Sequence, residues 1–276
     1  MEAYFFIPAS KIDKIQSIFS YQIREFIIDF EDSIKLSERD QLVSRLIELP
    51  VATHYYLRVP LHESSNPERL DLTCISKLIE RGFKRFVFPK IISIEQLDGV
   101  LTIFEEEALD IVLLIENPRL YIELLNTINS YRNRISAIGL GSHDFMASIG
   151  GKHTLQNLEV VRQHILYMAK AANIISIDIA SMDLKDAEQF RSEVVDGFDK
   201  GYNAKFVIHP HQLHIMQDIK FYKSEEYVSA VKIMEKLSLE KNKMEFAPIV
   251  VEGKIIERPH IENARKIIAN YRKEYI

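Results

Sequence analysis

The sequence of 276 residues predicts an α/β fold, a TIM (β/α)8 barrel with a C-terminal helical and lid extension. Eight short runs of apolar residues recur along the first three quarters of the chain. Several of these runs are apolar at almost every position, which is typical of strands buried on both faces of a parallel sheet. Each interval between runs can hold one helix and two loops. Eight such repeats match the TIM barrel, which typically has about 250 residues.

The predicted strands alternate with stretches that have the spacing of amphipathic helices. Ser37 is expected to begin one helix, and Ile122, Leu125 and Ile128 form the apolar stripe of another. A doubly wound open sheet is the alternative, but it would carry a glycine-rich turn after the first strand, and residues 8–11 contain no glycine. The eight strands are predicted at residues 4–7, 26–30, 55–59, 85–88, 110–115, 135–140, 174–179 and 205–208.

The C-terminal part of the chain has a different pattern. We expect the barrel to occupy residues 1–220 and an extension to occupy residues 221–276. Within the extension, residues 224–245 predict one long charged helix, and residues 245–259 predict an irregular segment with Pro248, Gly253 and Pro259. A final helix is predicted from His260. The extension is therefore expected to act as a lid or an exchange arm.

Composition excludes several classes of protein. The net charge is −5, from 35 basic and 40 acidic side chains, which disfavours a nucleic-acid partner. A single cysteine, Cys74, excludes an internal disulfide framework. The N-terminus lacks the basic region of a signal peptide, and no apolar run reaches the length of a membrane span. We therefore expect a cytoplasmic protein that binds no membrane.

Two acidic residues that follow neighbouring strands indicate a metal site. Glu116 comes directly after the fifth predicted strand, and Asp144 follows the sixth across Gly139 and Gly141. TIM-barrel chemistry lies at the C-terminal ends of the strands, and Mg²⁺ is often held there by one or two carboxylates. The spacing alone leaves a second interpretation open, in which Asp144 caps a helix and Glu116 forms a surface ion pair.

Arg58 is the candidate anion-binding residue of the barrel mouth. It lies at the end of the third strand, where an unpaired buried charge would be costly. The second strand ends in a cluster of acids, Asp29, Glu31 and Asp32. The partner of Arg58 is therefore either Glu31 or Asp32, in a structural ion pair, or a substrate carboxylate held by two hydrogen bonds.

Motifs of several other chemistries are absent from the sequence. There is no Gly-x-Ser-x-Gly elbow, no Walker loop and no Gly-x-Gly-x-x-Gly fingerprint. Zinc spacing is missing as well, because Cys74 has no second thiol and the nine histidines form no His-Glu-x-x-His motif. Covalent serine catalysis, P-loop chemistry and Rossmann dinucleotide binding are therefore unsupported.

Several short motifs recur in a characteristic order and spacing along nearly the full length of the chain. These motifs are Phe6-Ile7-Pro8, residues 28–33, Arg58-Val59, Phe88-Pro89-Lys90, Ile115-Glu116, residues 139–150, residues 201–212 and the segment 253–259. Together they make the chain resemble the citrate lyase beta-subunit-like proteins of the HpcH/HpaI aldolase/citrate lyase family, in which the segment 253–259 corresponds to a lid.

The resemblance implies a Mg²⁺-dependent carbon–carbon lyase, with Mn²⁺ as a possible substitute, that acts on acyl-CoA thioesters such as malyl-CoA or citramalyl-CoA. The implied route is a retro-Claisen or retro-aldol cleavage through an enolate whose charge Mg²⁺ and an arginine stabilise. Glu116 and Asp144 are the implied metal ligands, and Arg58 contacts the reacting carboxylate or enolate. Glu31 and Asp32 would orient Arg58 and metal-bound water.

Substrate contacts and the lid are also assigned by the resemblance. Pro89, Lys90 and Asn117 join Arg58 in binding the substrate, and Glu257 is the lid acid that exchanges a proton with the acyl carbon. The chain departs from the usual family pattern at Pro60, where asparagine is common, at Asn117 in place of threonine, and at Glu257 in place of aspartate. The first two changes lie in the substrate region, so the substrate is left open.

Three functions follow from this sequence in order of preference. The first is the lyase acting on a thioester, in a homo-oligomer that is a trimer or a hexamer. The second is a class II aldolase that acts on pyruvate or oxaloacetate-like keto acids without CoA. The third is a non-catalytic accessory protein that binds a metabolite. Retention of Glu116, Asp144 and Arg58 in one chain favours an enzyme.

Overall fold

The computed structural model describes residues 1–14, 25–48, 55–63, 66–239 and 248–275, and its main element is a closed parallel barrel of eight strands. The strands are β1 (Glu2–Pro8), β2 (Glu25–Asp29), β3 (Tyr55–Arg58), β6 (Arg85–Phe88), β7 (Asp110–Ile115), β8 (Ala137–Leu140), β9 (Ile175–Asp178) and β10 (Ala204–Val207). They run around the barrel in the order β1-β10-β9-β8-β7-β6-β3-β2. The fold prediction is confirmed, and each predicted strand overlaps one strand of the barrel.

Helices follow the strands and cover the barrel. Ser37 lies within the first described α-helix, which begins at Leu36, one residue earlier than expected. The predicted apolar stripe of Ile122, Leu125 and Ile128 is wrong at Ile122, which is exposed, whereas Ile128 is buried. The helix at Pro118–Thr127 buries Leu120 and Leu124 instead. The helices of this part of the chain are α1 (Leu36–Glu48), α2 (Thr73–Glu80), α3 (Ile94–Ile103), α4 (Pro118–Thr127), α5 (Ser142–Ser148), α6 (Leu155–Ala172), α7 (Ala187–Lys200) and α8 (Pro210–Asp218).

A short hairpin interrupts the barrel pattern between β3 and α2. It consists of β4 (His62–Glu63) and β5 (Asn66–Leu70), which pair in antiparallel fashion. No pattern in the sequence predicts this hairpin. None of the described helices is long and apolar enough to span a membrane.

Side chains fill the barrel interior, and a cavity lies at the C-terminal ends of the strands. Tyr4, Tyr56 and Phe206 are buried in the central cluster, where the ring of Tyr4 packs against the rings of Tyr56 and Phe206. Burial of such large apolar groups is the main driving force that closes a TIM barrel. The C-terminal ends of the strands form the open mouth of the barrel.

Residues from Asp218 onward form a second compact unit, separate from Met1–Gln217. This unit contains α9 (Ser224–Leu239), a hairpin of β11 (Ile249–Val251) and β12 (Lys254–Ile256), and α10 (Arg258–Tyr275). The predicted irregular segment is therefore wrong at 249–256. The expected helix at 224–245 extends to 239, and residues 240–247 lie outside the described residues. The hairpin turn places Glu252 and Gly253 at φ values of 49° and 79°, a left-handed conformation that glycine adopts without strain.

A buried ion network fixes β9 against helix α6. Arg162 donates two hydrogen bonds to Asp178, with Nε at 3.0 Å from Oδ1 and Nη2 at 2.8 Å from Oδ2. Both side chains are almost fully buried. The Nζ atom of Lys205 lies 3.9 Å from Oδ2 of Asp178 and donates a hydrogen bond to the backbone carbonyl of Ile179. Asp178 therefore stabilises the barrel wall and does not line the cavity at the mouth.

Replacing Arg162 tests this network. We expect Arg162→Met to lower the free energy of unfolding by about 3–5 kcal/mol, because Asp178 would lose its bidentate partner inside the protein. Urea unfolding followed by circular dichroism measures this change. Arg119→Met is the matched control, because Arg119 pairs with Glu123 on the exposed surface of α4, and we expect no measurable change there. Equal stability of the two variants would contradict the prediction.

Candidate active site at the barrel mouth

A cavity of about 270 Å³ opens at the C-terminal mouth of the barrel. Seven of the eight strands contribute side chains to it from their ends or from the loops that follow. Four residues that the sequence analysis proposed for the site line this cavity: Arg58, Asp32, Glu116 and Asp144. The fold therefore brings together charged groups that are distant in sequence.

Arg58 is held by an acid that the sequence analysis did not assign to it. Its Nε and Nη2 atoms each lie 2.7 Å from a carboxylate oxygen of Asp29, in a bidentate pair. Glu31 and Asp32, the two partners considered from sequence, are farther from Nη1, at 3.4 Å and 3.8 Å. Parallel pairing of β2 with β3 places Asp29 directly beside Arg58 in register, which explains the choice. The guanidinium also lies 4.9 Å from the ring centre of Phe6.

These contacts keep both members of the pair charged. Burial alone would raise the pKa of Asp29, but the hydrogen bonds and the charge of Arg58 outweigh it and lower that pKa. Burial would likewise lower the pKa of Arg58, but Asp29, Glu31 and Glu116 raise it. A permanent positive charge is therefore fixed at one side of the cavity.

Lys90 connects the acids of β2 to the rest of the site. Its Nζ atom donates to Asp32 Oδ1 at 2.7 Å and lies 2.9 Å from Glu31 Oε1. Lys90 itself adopts a left-handed conformation with φ of 54°, which is rare for a residue with a long side chain. That conformation directs its backbone N–H to Glu116 Oε2, at 2.6 Å. One residue thus positions Glu31, Asp32 and Glu116.

Glu31 retains an unused oxygen in this cluster. Its Oε2 atom is buried and accepts no hydrogen bond, although Arg58 lies nearby. Burial raises the pKa of Glu31, as does the neighbouring Asp32, while Arg58 and Lys90 partly compensate. An acid in this state is suited to hold a water molecule or a proton near Arg58.

Glu116 is the most strongly perturbed acid of the site. Its side chain is 5% exposed, and burial together with the charges of Glu31 and Asp144 raises its pKa to about 8, against the opposing effects of Lys90 and Arg58. Gly141 makes room for it, because a Cβ atom at position 141 would lie 2.3 Å from Cγ of Glu116. The absence of a side chain at Gly141 is therefore a steric requirement of the site.

The residues present fit a hard divalent cation. Glu116 and Asp144 both line the cavity, and the charge of Asp144 contributes to the raised pKa of Glu116, an effect that a cation between them would relieve. No cluster of three or more His, Cys, Asp or Glu side chains suited to a metal occurs in the described part of the chain. Two carboxylates, with water and substrate as further ligands, match the way Mg²⁺ is commonly bound.

Asp144 lies in the first turn of α5, beside two histidines that the sequence analysis missed. His143 lines the cavity, and its ring stacks on that of His153 with a centroid distance of 3.7 Å. His153 in turn shares a hydrogen bond of 2.9 Å with the hydroxyl of Ser142. These contacts fix the start of α5 and hence the backbone that carries Asp144.

The remaining predicted residues lie outside the lining of the cavity. Pro89 is buried behind Lys90, and Asn117 caps α4 by accepting a hydrogen bond of 2.8 Å from the backbone N–H of Arg119. Glu257 belongs to the second unit, where it is exposed at the start of α10 and its N–H donates to His260 Nδ1. Substrate contacts of Pro89, Lys90 and Asn117 stay predictions.

Comparison with known proteins identifies the family. The model of the HpcH/HpaI aldolase/citrate lyase family matches residues 2–210. The chain belongs to this family. The resemblance noted in the sequence is therefore confirmed, and with it the prediction of an enzyme of a carbon–carbon lyase family.

Alignments with individual relatives cover almost the whole chain of this HpcH/HpaI family member. The citrate lyase subunit beta of Haemophilus influenzae is 23% identical over 279 residues, which cover 95% of this chain and 94% of that protein. Human mitochondrial citramalyl-CoA lyase is 22% identical over 96% of this chain and 84% of its own length. These proteins are similar to the chain at low identity and do not name its substrate.

A solved structure has the same fold. The protein CitE of Mycobacterium tuberculosis, crystallised with magnesium, acetoacetate and coenzyme A, superposes with a TM-score of 0.79 at 17% identity. The alignment covers 98% of this chain and 97% of that one. At this identity the likeness establishes the barrel fold, and the ligands belong to the relative.

Proposed function

We propose that this protein is a Mg²⁺-dependent lyase that cleaves or forms a carbon–carbon bond in a 2-hydroxy or 3-hydroxy acyl thioester, with CoA as the thiol. The observation that carries the proposal is the cavity in which a fixed arginine faces a pair of carboxylates, Glu116 and Asp144. Named relatives act on citrate and citramalyl-CoA, and one is bound to magnesium and coenzyme A. Those ligands support the choice of substrate class.

Cleavage of such a substrate requires charge stabilisation at one oxygen. In a 3-hydroxy acyl thioester, the C3 hydroxyl carbon becomes a carbonyl as its O–H proton passes to a carboxylate, for which Glu31 is the candidate. The electron pair of the broken C2–C3 bond moves onto the thioester fragment as an enolate. Arg58 is positioned to stabilise negative charge on the reacting fragment, because Asp29 holds its guanidinium rigidly at the wall of the cavity. Pre-organisation of this kind avoids reorganisation during the reaction.

Glu116 and Asp144 would hold the metal, and Mg²⁺ supplies a positive charge that orients and polarises the oxygens of a 2-oxo or 2-hydroxy acid. Lys90 fixes Glu116 through its backbone N–H, and Gly141 leaves the space that the carboxylate needs. Glu31 and Asp32 orient Arg58 from the opposite side, and the unused oxygen of Glu31 can accept a proton or a water molecule.

A ligand panel tests the proposed function. We expect CoA thioesters of hydroxy acids, and 2-oxo acids such as pyruvate, to raise the melting temperature only when Mg²⁺ is present. A ligand at about 100 times its Kd stabilises a protein by about 2.7 kcal/mol, which thermal-shift assays detect. Turnover is then measured by release of a 2-oxo acid and acetyl-CoA. Stabilisation by keto acids with no effect of any CoA ester would support the aldolase that works without CoA.

Stabilisation without turnover of any thioester or keto acid would contradict the lyase and support a binding role. The panel therefore includes glyoxylate and oxaloacetate beside pyruvate, each with and without Mg²⁺. The control variant Arg58→Ala should still fold and should bind metal, because Arg58 is not one of the proposed ligands. This control separates metal binding from anion binding.

Glu257 is proposed to deliver the proton to the carbon of the enolate, from the lid of a neighbouring subunit in a trimer or a hexamer. Its carboxylate is exposed next to a hairpin and a helix start, so it is accessible to a substrate. We expect Arg58→Ala and Glu257→Gln each to be inactive alone, and mixtures of the two to regain part of the activity. Hybrid oligomers would contain some sites with both residues intact.

Recovery requires that subunits exchange, which mass spectrometry of differently tagged subunits verifies. A mixture that exchanges subunits but stays inactive would contradict action across the interface. Full activity of Glu257→Gln alone would remove this residue from the mechanism. Glu262→Gln, a change on the exposed side of α10, is the matched control and should leave activity unchanged.

A further inference from the structure

The cavity at the barrel mouth has two chemically different halves. All charged side chains that line it come from the ends of β2, β3, β7 and β8. The other half comes from β1, β10 and β9, which are neighbours in the barrel, and it is apolar. That half consists of Phe6, Pro8, Phe206, Ile208, Ala180 and Met182, which we call the apolar wall.

Charged residues of the same three strands do not reach the cavity. Lys205 on β10 is fully buried between the barrel and the helices, where it donates to the carbonyl of Ile179. Asp178 on β9 is engaged by Arg162.

Arg58 approaches the wall at Phe6, 4.9 Å from that ring centre, but it is already paired with Asp29. Within the described residues, the rest of the apolar wall therefore offers no charged partner to a second anionic group of a ligand. A carboxylate placed against it would lose its hydration without compensation.

The ring of Phe206 is held in place and limits the depth of the cavity at the apolar wall. Its ring packs at 5.4 Å from Phe6 and edge-on at 6.4 Å from Tyr4, measured between ring centres. Gly139 lies directly behind it, since a Cβ atom at position 139 would be 2.4 Å from Cε2 of Phe206. A ring enclosed on these sides cannot rotate away from a ligand, so it sets the depth of the cavity.

We propose that the apolar wall selects an acyl unit with an uncharged alkyl substituent, and that Phe206 sets the longest substituent that fits. The inference rests on the proposed function, because the opposite half of the cavity must hold the carboxylate and the reacting oxygen of the substrate. With that end held by Glu116, Asp144 and Arg58, the remaining substituent points across the cavity to the wall. A substrate that carries a second carboxylate at this position is disfavoured.

A homologous series of 2-oxo acids tests the wall by calorimetry in the presence of Mg²⁺. From pyruvate to 2-oxobutyrate and 2-oxovalerate, we expect Kd to fall about fourfold for each methylene that still fits, and to rise once the chain meets Phe206. Oxaloacetate, which has a second carboxylate, should bind about tenfold or more weakly than 2-oxobutyrate. In Phe206→Leu the optimum should move to a longer acid.

A second variant tests the wall without touching the core. Met182 is 54% exposed at the rim, so Met182→Lys should fold normally. The new ammonium group should reduce the difference between the Kd values of oxaloacetate and 2-oxobutyrate, whereas Met182→Leu should leave that difference unchanged. Phe83→Leu is the control for Phe206→Leu, because both phenylalanines are 2% exposed and Phe83 lies outside the cavity.

The outcomes separate this inference from the proposed function. The inference would be overturned, while the lyase stands, if folded Phe206→Leu still bound the same 2-oxo acid most tightly as the wild type. It would also be overturned if the ratio of the Kd of oxaloacetate to that of 2-oxobutyrate were unchanged in Met182→Lys. Should Phe206→Leu fail to fold, the Met182 variants decide alone. If no 2-oxo acid binds the wild-type protein with Mg²⁺, the proposed function is contradicted, and the inference with it.

Discussion

Arg58→Lys is expected to lower turnover by about 100-fold or more while the protein stays folded. Lysine retains the positive charge but has no planar fork, so it cannot form the bidentate pair with Asp29 and point a third donor into the cavity at the same time. Removal of one pre-organised donor that acts on developing charge typically costs about 10²–10³ in rate. Steady-state kinetics with the best thioester of the ligand panel measures the loss.

Arg85→Lys is the matched control for this prediction. Arg85 also bonds two acids, with Nη2 at 2.6 Å from Glu25 and Nε at 2.9 Å from Asp110, and it also lies over an aromatic ring, that of Tyr56. It lies at the N-terminal end of its strand, far from the mouth. We expect Arg85→Lys to reduce stability but to keep kcat. Full activity of Arg58→Lys would show that Arg58 is only a structural partner of the acids at the end of β2.

The fold could be read from the sequence because the barrel strands are unusually apolar. Runs such as residues 111–115 leave no polar face, and a strand without a polar face must be covered on both sides. The same reasoning did not predict the hairpin at residues 249–256. Each of its strands has only three residues, and so short an alternation carries no detectable period.

The site could be predicted only as far as chain order determines strand ends. Arg58, Glu116 and Asp144 were found because each follows a buried strand, and strand ends converge at one face of a barrel. The pairing of Arg58 with Asp29 depends on the register of β2 against β3, which no residue pattern encoded. The close approach of Gly141 to Glu116 likewise depends on tertiary packing between neighbouring strand ends.

The apolar half of the cavity was missed for a different reason. Phe206 and Lys205 are adjacent in sequence, yet one lies in the barrel interior and the other faces the helices. A run that is mostly apolar has no alternation of polar and apolar residues that would show which side chains face inward. Strand register, and not residue type, decides which side chains a ligand meets.

The metal site carries the second large expected effect. Glu116→Gln and Asp144→Asn should each weaken Mg²⁺ or Mn²⁺ binding by about tenfold or more, since each removes one of two anionic ligands while keeping the shape of the side chain. Neither change should unfold the protein. At position 116 in particular, burial already disfavours the charged form and raises the pKa to about 8, so a neutral amide is tolerated. Calorimetric titration with each metal measures the affinities.

Glu193→Gln is the matched control, because Glu193 is 7% exposed, close to the 5% of Glu116, but lies on helix α7 and outside the cavity at the mouth. Its metal affinity should equal that of the wild type. Gly141→Ala gives an independent test that removes no ligand. The added Cβ would lie 2.3 Å from Cγ of Glu116 and force that carboxylate to move, so metal affinity should fall here as well. Unchanged affinity in both Glu116→Gln and Asp144→Asn would rule out this pair as the metal site.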